Sequence, residues 1–114
     1  MKEIISFKLK DGEYYYKELT LLKKVGDNWE LVNGMVDFGQ SKQWFENGLC
    51  HRKDGPAHIS EFGEVYYWKG RRHRENGPAV VSGRREEFYL NGKIYKEEVW
   101  KRLVRKLKLA KLLS

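Results

Sequence analysis

The chain has 114 residues, enough for one domain with a modest hydrophobic core, and its 14% aromatic content excludes a disordered protein. It has no apolar run long enough for a transmembrane helix, and its charged start (MKEIISFKLKDGE) is unlike a signal peptide. Its single cysteine, Cys50, predicts a reducing cytoplasm. The net charge of +7 is uneven, since residues 96–114 hold seven Lys and Arg against two Glu, whereas residues 1–95 hold sixteen against fourteen acidic residues.

The first 43 residues are predicted to form β-hairpins. Residues 2–10 and 13–17 alternate in polarity around an Asp-Gly turn, and residues 19–25, 29–32 and 35–38 follow, separated by Gly- and Asn-containing turns. Because no linker rich in Pro, Gly or Ser divides the chain, residues 1–114 are expected to form one continuous domain.

A 22-residue repeat organises residues 44–95. The segment WFENGLCHRKDGPA, residues 44–57, aligns with YYWKGRRHRENGPA, residues 66–79, and then with FYLNGKIY, residues 88–95. The Asn-Gly and Lys-Gly pairs predict tight hairpins, and each Gly-Pro pair predicts a second turn. The residues expected to maintain this repeat are Gly48, His51, Arg52, Gly55, Pro56, Gly70, His73, Arg74, Gly77, Pro78 and Gly92.

The aromatic strands of the repeat have two faces, because successive strand residues point in opposite directions. The face with Trp44, Tyr66, Trp68, Phe88 and Leu90 is the better candidate for the core. The other face carries Phe45, Tyr67 and Tyr89, which we expect to stack as a column. That column is either covered by the N-terminal strands or the C-terminal helix, or forms an exposed binding surface.

Residues 96–114 are predicted to form a basic amphipathic helix. Its apolar stripe is Val99, Trp100, Leu103, Val104, Leu107 and Ala110, and its basic side is Lys101, Arg102, Arg105, Lys106 and Lys108. Three interpretations remain open: a helix docked on the sheet with a solvated basic back, a phosphate contact on nucleic acid, and a membrane-surface helix. The last is disfavoured because the apolar stripe is needed to cover the sheet.

The sequence contains no pattern typical of catalysis, and we expect neither a cofactor nor a metal. His51 and His73 are repeat equivalents, which favours a structural role that hydrogen-bonds neighbouring turns, with Arg52 near Asp54. One cysteine and scattered histidines do not make a zinc site. Arginines follow two hairpins, which predicts either a solvated rim or contacts with phosphate or acidic protein, and these are Arg71, Arg72, Arg74, Arg84 and Arg85.

The two units containing HRKDGPA and HRENGPA resemble the HR-x-DGPA repeat of small proteins common in tailed bacteriophages, which are similar to variants of the MORN repeat. The resemblance covers residues 42–100. It implies stacked β-hairpins that serve as scaffolds or as protein and lipid interaction surfaces rather than as catalysts. It also implies a small accessory protein that acts on a host or phage macromolecule, and our first hypothesis is that it binds and modulates a host protein in the cytoplasm of a bacterial host.

We therefore expect an α+β, mainly β protein, in which an antiparallel hairpin meander precedes a C-terminal basic helix. Its expected partner is a protein, bound through the aromatic column, the arginine-bearing hairpin ends or a free sheet edge. The alternative is nucleic-acid binding through the basic helix and the arginine-rich turns. Free sheet edges also make a homodimer an option.

Overall fold

The computed structural model describes residues 5–114, so the beginning of the first predicted strand, residues 2–4, lies outside the described residues. In the described part, fourteen short strands precede one helix, and all their pairings are antiparallel. This arrangement confirms the predicted α+β, mainly β class. The strands form three sheets, of four, two and eight strands.

The N-terminal sheet is a simple meander whose spatial order follows the chain. Its strands are β1 (Phe7–Leu9), β2 (Gly12–Lys17), β3 (Thr20–Val25) and β4 (Asn28–Leu31). The last three lie within one residue of the predicted bounds, whereas β1 is shorter than the predicted strand of residues 2–10, since the described residues 5 and 6 precede it outside any strand. Alternation of polar and apolar residues along β2 and β3 places Tyr14 and Leu21 toward the interior, where they are 1% and 0% exposed.

The remaining strands lie within residues 34–95, and all but the first of them overlap the repeat region. These are β5 (Gly34–Asp37), β6 (Ser41–Glu46), β7 (Leu49–Cys50), β8 (His58–Ser60), β9 (Gly63–Val65), β10 (Tyr67–Trp68), β11 (Arg71–Arg72), β12 (Val80–Ser82), β13 (Arg85–Leu90) and β14 (Lys93–Tyr95). The large sheet has the order β14-β13-β12-β9-β8-β6-β5, with β7 also paired to β6, while β10 and β11 form the two-stranded sheet. The elements of residues 41–60 recur 22 residues later.

Each aromatic strand pairs with different partners along its length. The first half of β6 pairs with β8 and its end pairs with β7. Likewise, the first half of β13 pairs with β12 and its second half with β14. The hairpin turns between the paired segments use two consecutive residues at positive φ, which are Asn47-Gly48, Lys69-Gly70 and Asn91-Gly92. The type I′ turns of two-residue hairpins require this backbone geometry.

Two separate hydrophobic clusters close the ends of the array. The first contains Tyr14, Leu21, Val32, Val36 and Phe45, and joins the N-terminal sheet to β5 and β6. The second contains Leu90, Trp100 and Val104, and joins β13 to helix α1, Glu97–Leu113. Phe45 and Leu90 occupy adjacent positions of the repeat, and successive strand residues point in opposite directions. The two clusters therefore lie on opposite faces of the repeat strands.

Of the two alternatives for the aromatic column, the covered one holds at Phe45, which therefore does not belong to an exposed binding surface. Its side chain is 4% exposed because the N-terminal sheet covers this end of the column. Conversely, Trp68 belongs to the predicted core face but is 40% exposed. The repeat pattern correctly separates the two faces, but it does not show which non-repeating segment covers each one.

Candidate binding surfaces

The two loops that carry the HR motif fold over one face of the strands. We name residues 51–57 the first HR loop and residues 73–79 the second. In each, the histidine is fixed by the next hairpin, since Nδ1 of His51 accepts a hydrogen bond from the Lys69 N–H and Nδ1 of His73 accepts one from the Asn91 N–H, both at 2.9 Å. A backbone N–H can only donate, so Nδ1 of each imidazole is the acceptor in these bonds.

The Nε2 atoms are also engaged. That of His51 lies 2.9 Å from Oε2 of Glu46, and that of His73 lies 3.1 Å from Oε2 of Glu75. Both ring nitrogens of each histidine therefore have a partner within the fold. This arrangement agrees with the structural role predicted from the recurrence of the histidines.

The arginine of each HR loop closes the loop from inside. Nη1 of Arg52 donates to the Pro56 carbonyl at 3.1 Å, and the guanidinium lies 3.9 Å from the centre of the Trp44 ring. In the second loop, Arg74 makes the same two contacts, with the Pro78 carbonyl and the Tyr66 ring, at the same distances. Arg52 thus bonds to Pro56 rather than fulfilling the predicted role beside Asp54, and the Arg74 guanidinium is engaged within its own loop.

A glycine in each loop makes this closure sterically feasible. A Cβ at Gly55 would lie 3.3 Å from the guanidinium carbon of Arg52, and one at Gly77 would lie 3.1 Å from that of Arg74. These distances are tighter than ordinary van der Waals contact. The conjunction of His, Arg, Gly and Pro in the repeat is therefore explained by one compact loop.

The third unit has no HR loop, and the helix takes its place. Trp100 packs on Phe88 with ring centres 4.8 Å apart, as Arg52 packs on Trp44 and Arg74 on Tyr66. Its indole Nε1 also donates to the Arg74 carbonyl at 3.1 Å. Helix α1 therefore ends the array by covering the position that an arginine covers in the two earlier units. We call this face, with Trp44, Tyr66 and Phe88, the arginine face.

A cleft of about 810 Å³ opens on the arginine face between the two HR loops and α1. Trp68 lies in its lining and packs against the His51 ring at 4.3 Å between centres. Leu90, the repeat equivalent of Trp68, is 6% exposed because α1 covers it, whereas Trp68 is 40% exposed. Lys53 and Lys111 also line the cleft, whose remaining lining residues include Asp54, Tyr66, Glu75, Asn76 and Leu107.

The opposite face, which we call the tyrosine face, retains part of the predicted column. Tyr67 and Tyr89 are half-buried, and the Arg72 guanidinium lies near both. Nη1 of Arg72 donates to the Tyr89 hydroxyl at 3.2 Å. Hydrogen bonding to the hydroxyls of Tyr67 and Tyr89 raises the pKa of Arg72. The structure thus brings together three of the predicted surface residues.

The remaining arginines do not join that group. Arg71 pairs with Trp68 and so lies on the arginine face. Arg84 and Arg85 follow the turn at Gly83, at the start of β13, which is the opposite end of the strands from the Asn91-Gly92 turn. Arg85 is further engaged by Glu87, at 2.7 Å. The predicted set of arginines and aromatic residues is therefore divided among several surfaces.

The predicted basic side of the helix is solvent-exposed. Its members are Lys101, Arg102, Arg105, Lys106 and Lys108, of which Lys101 pairs with Glu97 at 3.1 Å. Lys111 lies on the inner side instead and contacts Glu75 at 2.8 Å. The sequence pattern missed this contact, because it shows only that Lys111 interrupts the apolar stripe and not that the side chain reaches Glu75 in the second HR loop.

The described residues offer few reactive groups. Burial raises the pKa of the Cys50 thiol to about 12, which keeps it protonated. Within residues 5–114, no group of three or more His, Cys, Asp or Glu side chains is placed to hold a metal ion. In the same part of the chain, no helix is both long and apolar enough to cross a bilayer.

Comparison with known proteins identifies no significant match to this chain. No family model matches the chain, and neither the characterised proteins nor the solved structures include a significant match.

Proposed function

We propose that the protein is a non-catalytic binding module that holds an acidic segment of a protein partner in the cleft between the HR loops. The observation that carries this proposal is the exposure of Trp68 in that cleft, beside a helix that buries its repeat equivalent Leu90. Exposed tryptophans in concave sites are frequent energetic centres of protein interfaces. An apolar or aromatic side chain of the partner would pack on the Trp68 indole.

The charge of the cleft supports an acidic ligand. Lys53 is exposed and lines the cleft, and the guanidinium groups of Arg52 and Arg74 also contribute positive charge to it. Asp54 and Glu75 offset only part of this charge, and Glu75 is already paired with Lys111. A carboxylate of the partner next to the apolar anchor would therefore be favoured electrostatically.

A catalytic role is less well supported by the same residues. Both nitrogens of His51 and His73 are occupied by the fold, and the Cys50 thiol has a raised pKa. Following the resemblance to small bacteriophage proteins, the proposed partner is a host protein in the bacterial cytoplasm, whose activity the bound module would modulate.

Peptide selection tests the proposal without requiring that the partner be identified. We expect an mRNA-displayed library of random peptides, selected on the full chain, to yield sequences with Asp or Glu next to an aromatic or large apolar residue. The variant Trp68→Ala should bind a selected peptide at least about 30-fold more weakly, as is usual for an interface hot spot. Lys53→Glu should weaken binding about tenfold through charge reversal.

Two matched variants serve as controls. Phe62→Ala removes an aromatic side chain that is 75% exposed but lies outside the cleft, and Lys17→Glu reverses an exposed charge on the N-terminal sheet. Neither should change the affinity. Unchanged peptide affinity in Trp68→Ala, with folding confirmed by circular dichroism, would contradict the proposal.

A second candidate function is nucleic-acid binding, which the exposed cations of α1 favour. Clustered Lys and Arg gain affinity for phosphates through release of counterions, and this makes the affinity strongly salt-dependent. We expect the double variant Arg102→Glu, Lys106→Glu to abolish any binding of labelled single-stranded DNA in fluorescence anisotropy. Binding that this variant retains would exclude the helix as the nucleic-acid site.

A further inference from the structure

Three leucines near the end of α1 lie on the side that faces away from the sheet. Leu109, Leu112 and Leu113 are 55%, 82% and 80% exposed. An α-helix advances roughly 100° per residue, which places these side chains about 120° to 220° from Trp100, the residue packed on Phe88. The sheet therefore uses one apolar stripe of the helix and leaves this second apolar set uncovered.

Cations surround the uncovered leucines. Arg102, Arg105 and Lys106 are exposed and lie on the same outward side, about one to three turns before the leucines. Residues 99–114 contain six Lys and Arg and no acidic residue. The outward side of the helix thus combines protruding apolar side chains with charge of a single sign.

One flank of the helix shows the same combination at close range. A groove of about 590 Å³ lies there, and its lining includes Leu109 and Leu112 together with Lys101, Arg105 and Lys108. One acidic residue, Glu75, also lines the groove, and it is paired with Lys111. Apolar side chains next to cations fit a ligand that has an anionic head and an apolar tail. Charge and polarity therefore both restrict what can occupy this surface.

Among the possible occupants, an anionic lipid surface satisfies both restrictions. Nucleic acid would use the cations but leave the leucines in water, and a second copy of this helix would repel the first. A protein would need a cavity shaped to the protruding leucines, whereas a lipid interface deforms to receive them. We infer that the outward side of α1 binds an anionic phospholipid surface, with Leu109, Leu112 and Leu113 inserted between the lipids.

The inference uses the outward side of the helix, whereas the cleft lies on its inner side; the flanking groove and the cleft share only Glu75 and Asn76 in their linings. The apolar stripe predicted from sequence does cover the sheet, which was the reason to disfavour a membrane role, but the outward leucines are not part of that stripe. Neither a few leucines nor a few cations usually hold a protein on a membrane, whereas the two together do. Binding should therefore require both groups.

Sedimentation with lipid vesicles tests the inference on the full chain. We expect binding to vesicles of phosphatidylcholine mixed with phosphatidylglycerol, and none to phosphatidylcholine alone. The double variant Leu112→Ser, Leu113→Ser should bind at least about tenfold more weakly, because it removes apolar area that enters the lipid. Leu19→Ser is the matched control, since Leu19 is 70% exposed in the N-terminal region and should not contribute.

Two results would overturn the inference. One is undiminished vesicle binding by the leucine double variant, which would show that charge alone holds the protein on the vesicles. The other is absence of vesicle binding by the unmodified chain, and salt-dependent binding of DNA in the same samples would then assign the cations to nucleic acid. Loss of peptide binding by Trp68→Ala would not affect either result, because Trp68 lines the cleft but not the groove beside the leucines.

Discussion

The two ends of the repeat array are closed on opposite faces. At the N-terminal end, a separate sheet covers the tyrosine face and buries Phe45 to 4% exposure. At the C-terminal end, the helix covers the arginine face and buries Leu90 to 6%. Repeats contact only their neighbours, so burial beyond the repeat depends on such terminal segments. The middle unit receives neither cover, which leaves Trp68 open on one face and Tyr67 half-open on the other.

The N-terminal cover should matter most for stability. Phe45→Ala is expected to lower the free energy of unfolding by about 4 kcal/mol, because it opens a cavity in the cluster around Tyr14, Leu21 and Val36. Urea denaturation measures this change. Phe62→Ala, at a 75% exposed position, should cost less than about 0.5 kcal/mol. Equal effects of the two substitutions would mean that Phe45 is exposed after all.

The C-terminal cover should contribute somewhat less. Trp100→Ala is expected to cost about 3 kcal/mol, since it removes the contact with Phe88 and the hydrogen bond to the Arg74 carbonyl. Trp100→Phe keeps an aromatic ring and should cost about 1 kcal/mol for the lost bond. Helical circular dichroism and urea denaturation together measure both. A fully stable Trp100→Ala protein would show that the helix does not close the array.

The two HR loops should respond alike, because their internal contacts have the same distances. Arg52→Ala and Arg74→Ala are each expected to lower the free energy of unfolding by about 1.5 kcal/mol, through loss of the ring contact and of the bond to proline. Substitution by Lys should restore little, since Lys lacks the planar fork. A difference above about 1 kcal/mol between the two alanine variants would contradict their equivalence.

Acidification should lower the stability of the C-terminal end by less than the substitutions of Phe45, Trp100, Arg52 and Arg74 lower the free energy of unfolding. The bond from Lys111, with that from His73, lowers the pKa of Glu75 below its ordinary value of 4.5. A depressed folded-state pKa means that the stabilisation is complete above the ordinary value and is lost as pH falls through the lowered one. Because Lys111 is 66% exposed, we expect only about 0.5 kcal/mol.

The comparison of the unmodified chain with Glu75→Gln measures this effect. The difference in their free energies of unfolding should be present at neutral pH and shrink below the ordinary carboxyl pKa. A difference that stays constant as the pH falls would show that the ion pair does not hold the helix end.

Much of the local structure could be predicted because it depends on local signals. The Asn91-Gly92 pair predicts a hairpin from sequence alone, and both of its residues adopt positive φ. The period-two alternation of β2 and β3 likewise predicts strands. Residues 97–113 likewise show the periodicity of a helix that packs on one side.

The candidate site could not be predicted because it depends on which segment covers which face. Trp68 has the same pattern position as Leu90, yet only Leu90 lies beneath the helix. Phe45 has the same position as Tyr67, yet only Phe45 lies beneath the N-terminal sheet. Such long-range docking has no periodic signature, and it determines which aromatic residues remain free to bind.

The most direct test of the open middle unit is a titration of the full chain with a selected acidic peptide, followed by amide chemical shifts in nuclear magnetic resonance. We expect the largest shift changes at residues 66–68 and in the two HR loops, with little change in the N-terminal sheet, residues 7–31. Changes centred on the N-terminal sheet or on the turn at Gly83, with the cleft unaffected, would contradict the assignment of the arginine face as the binding surface.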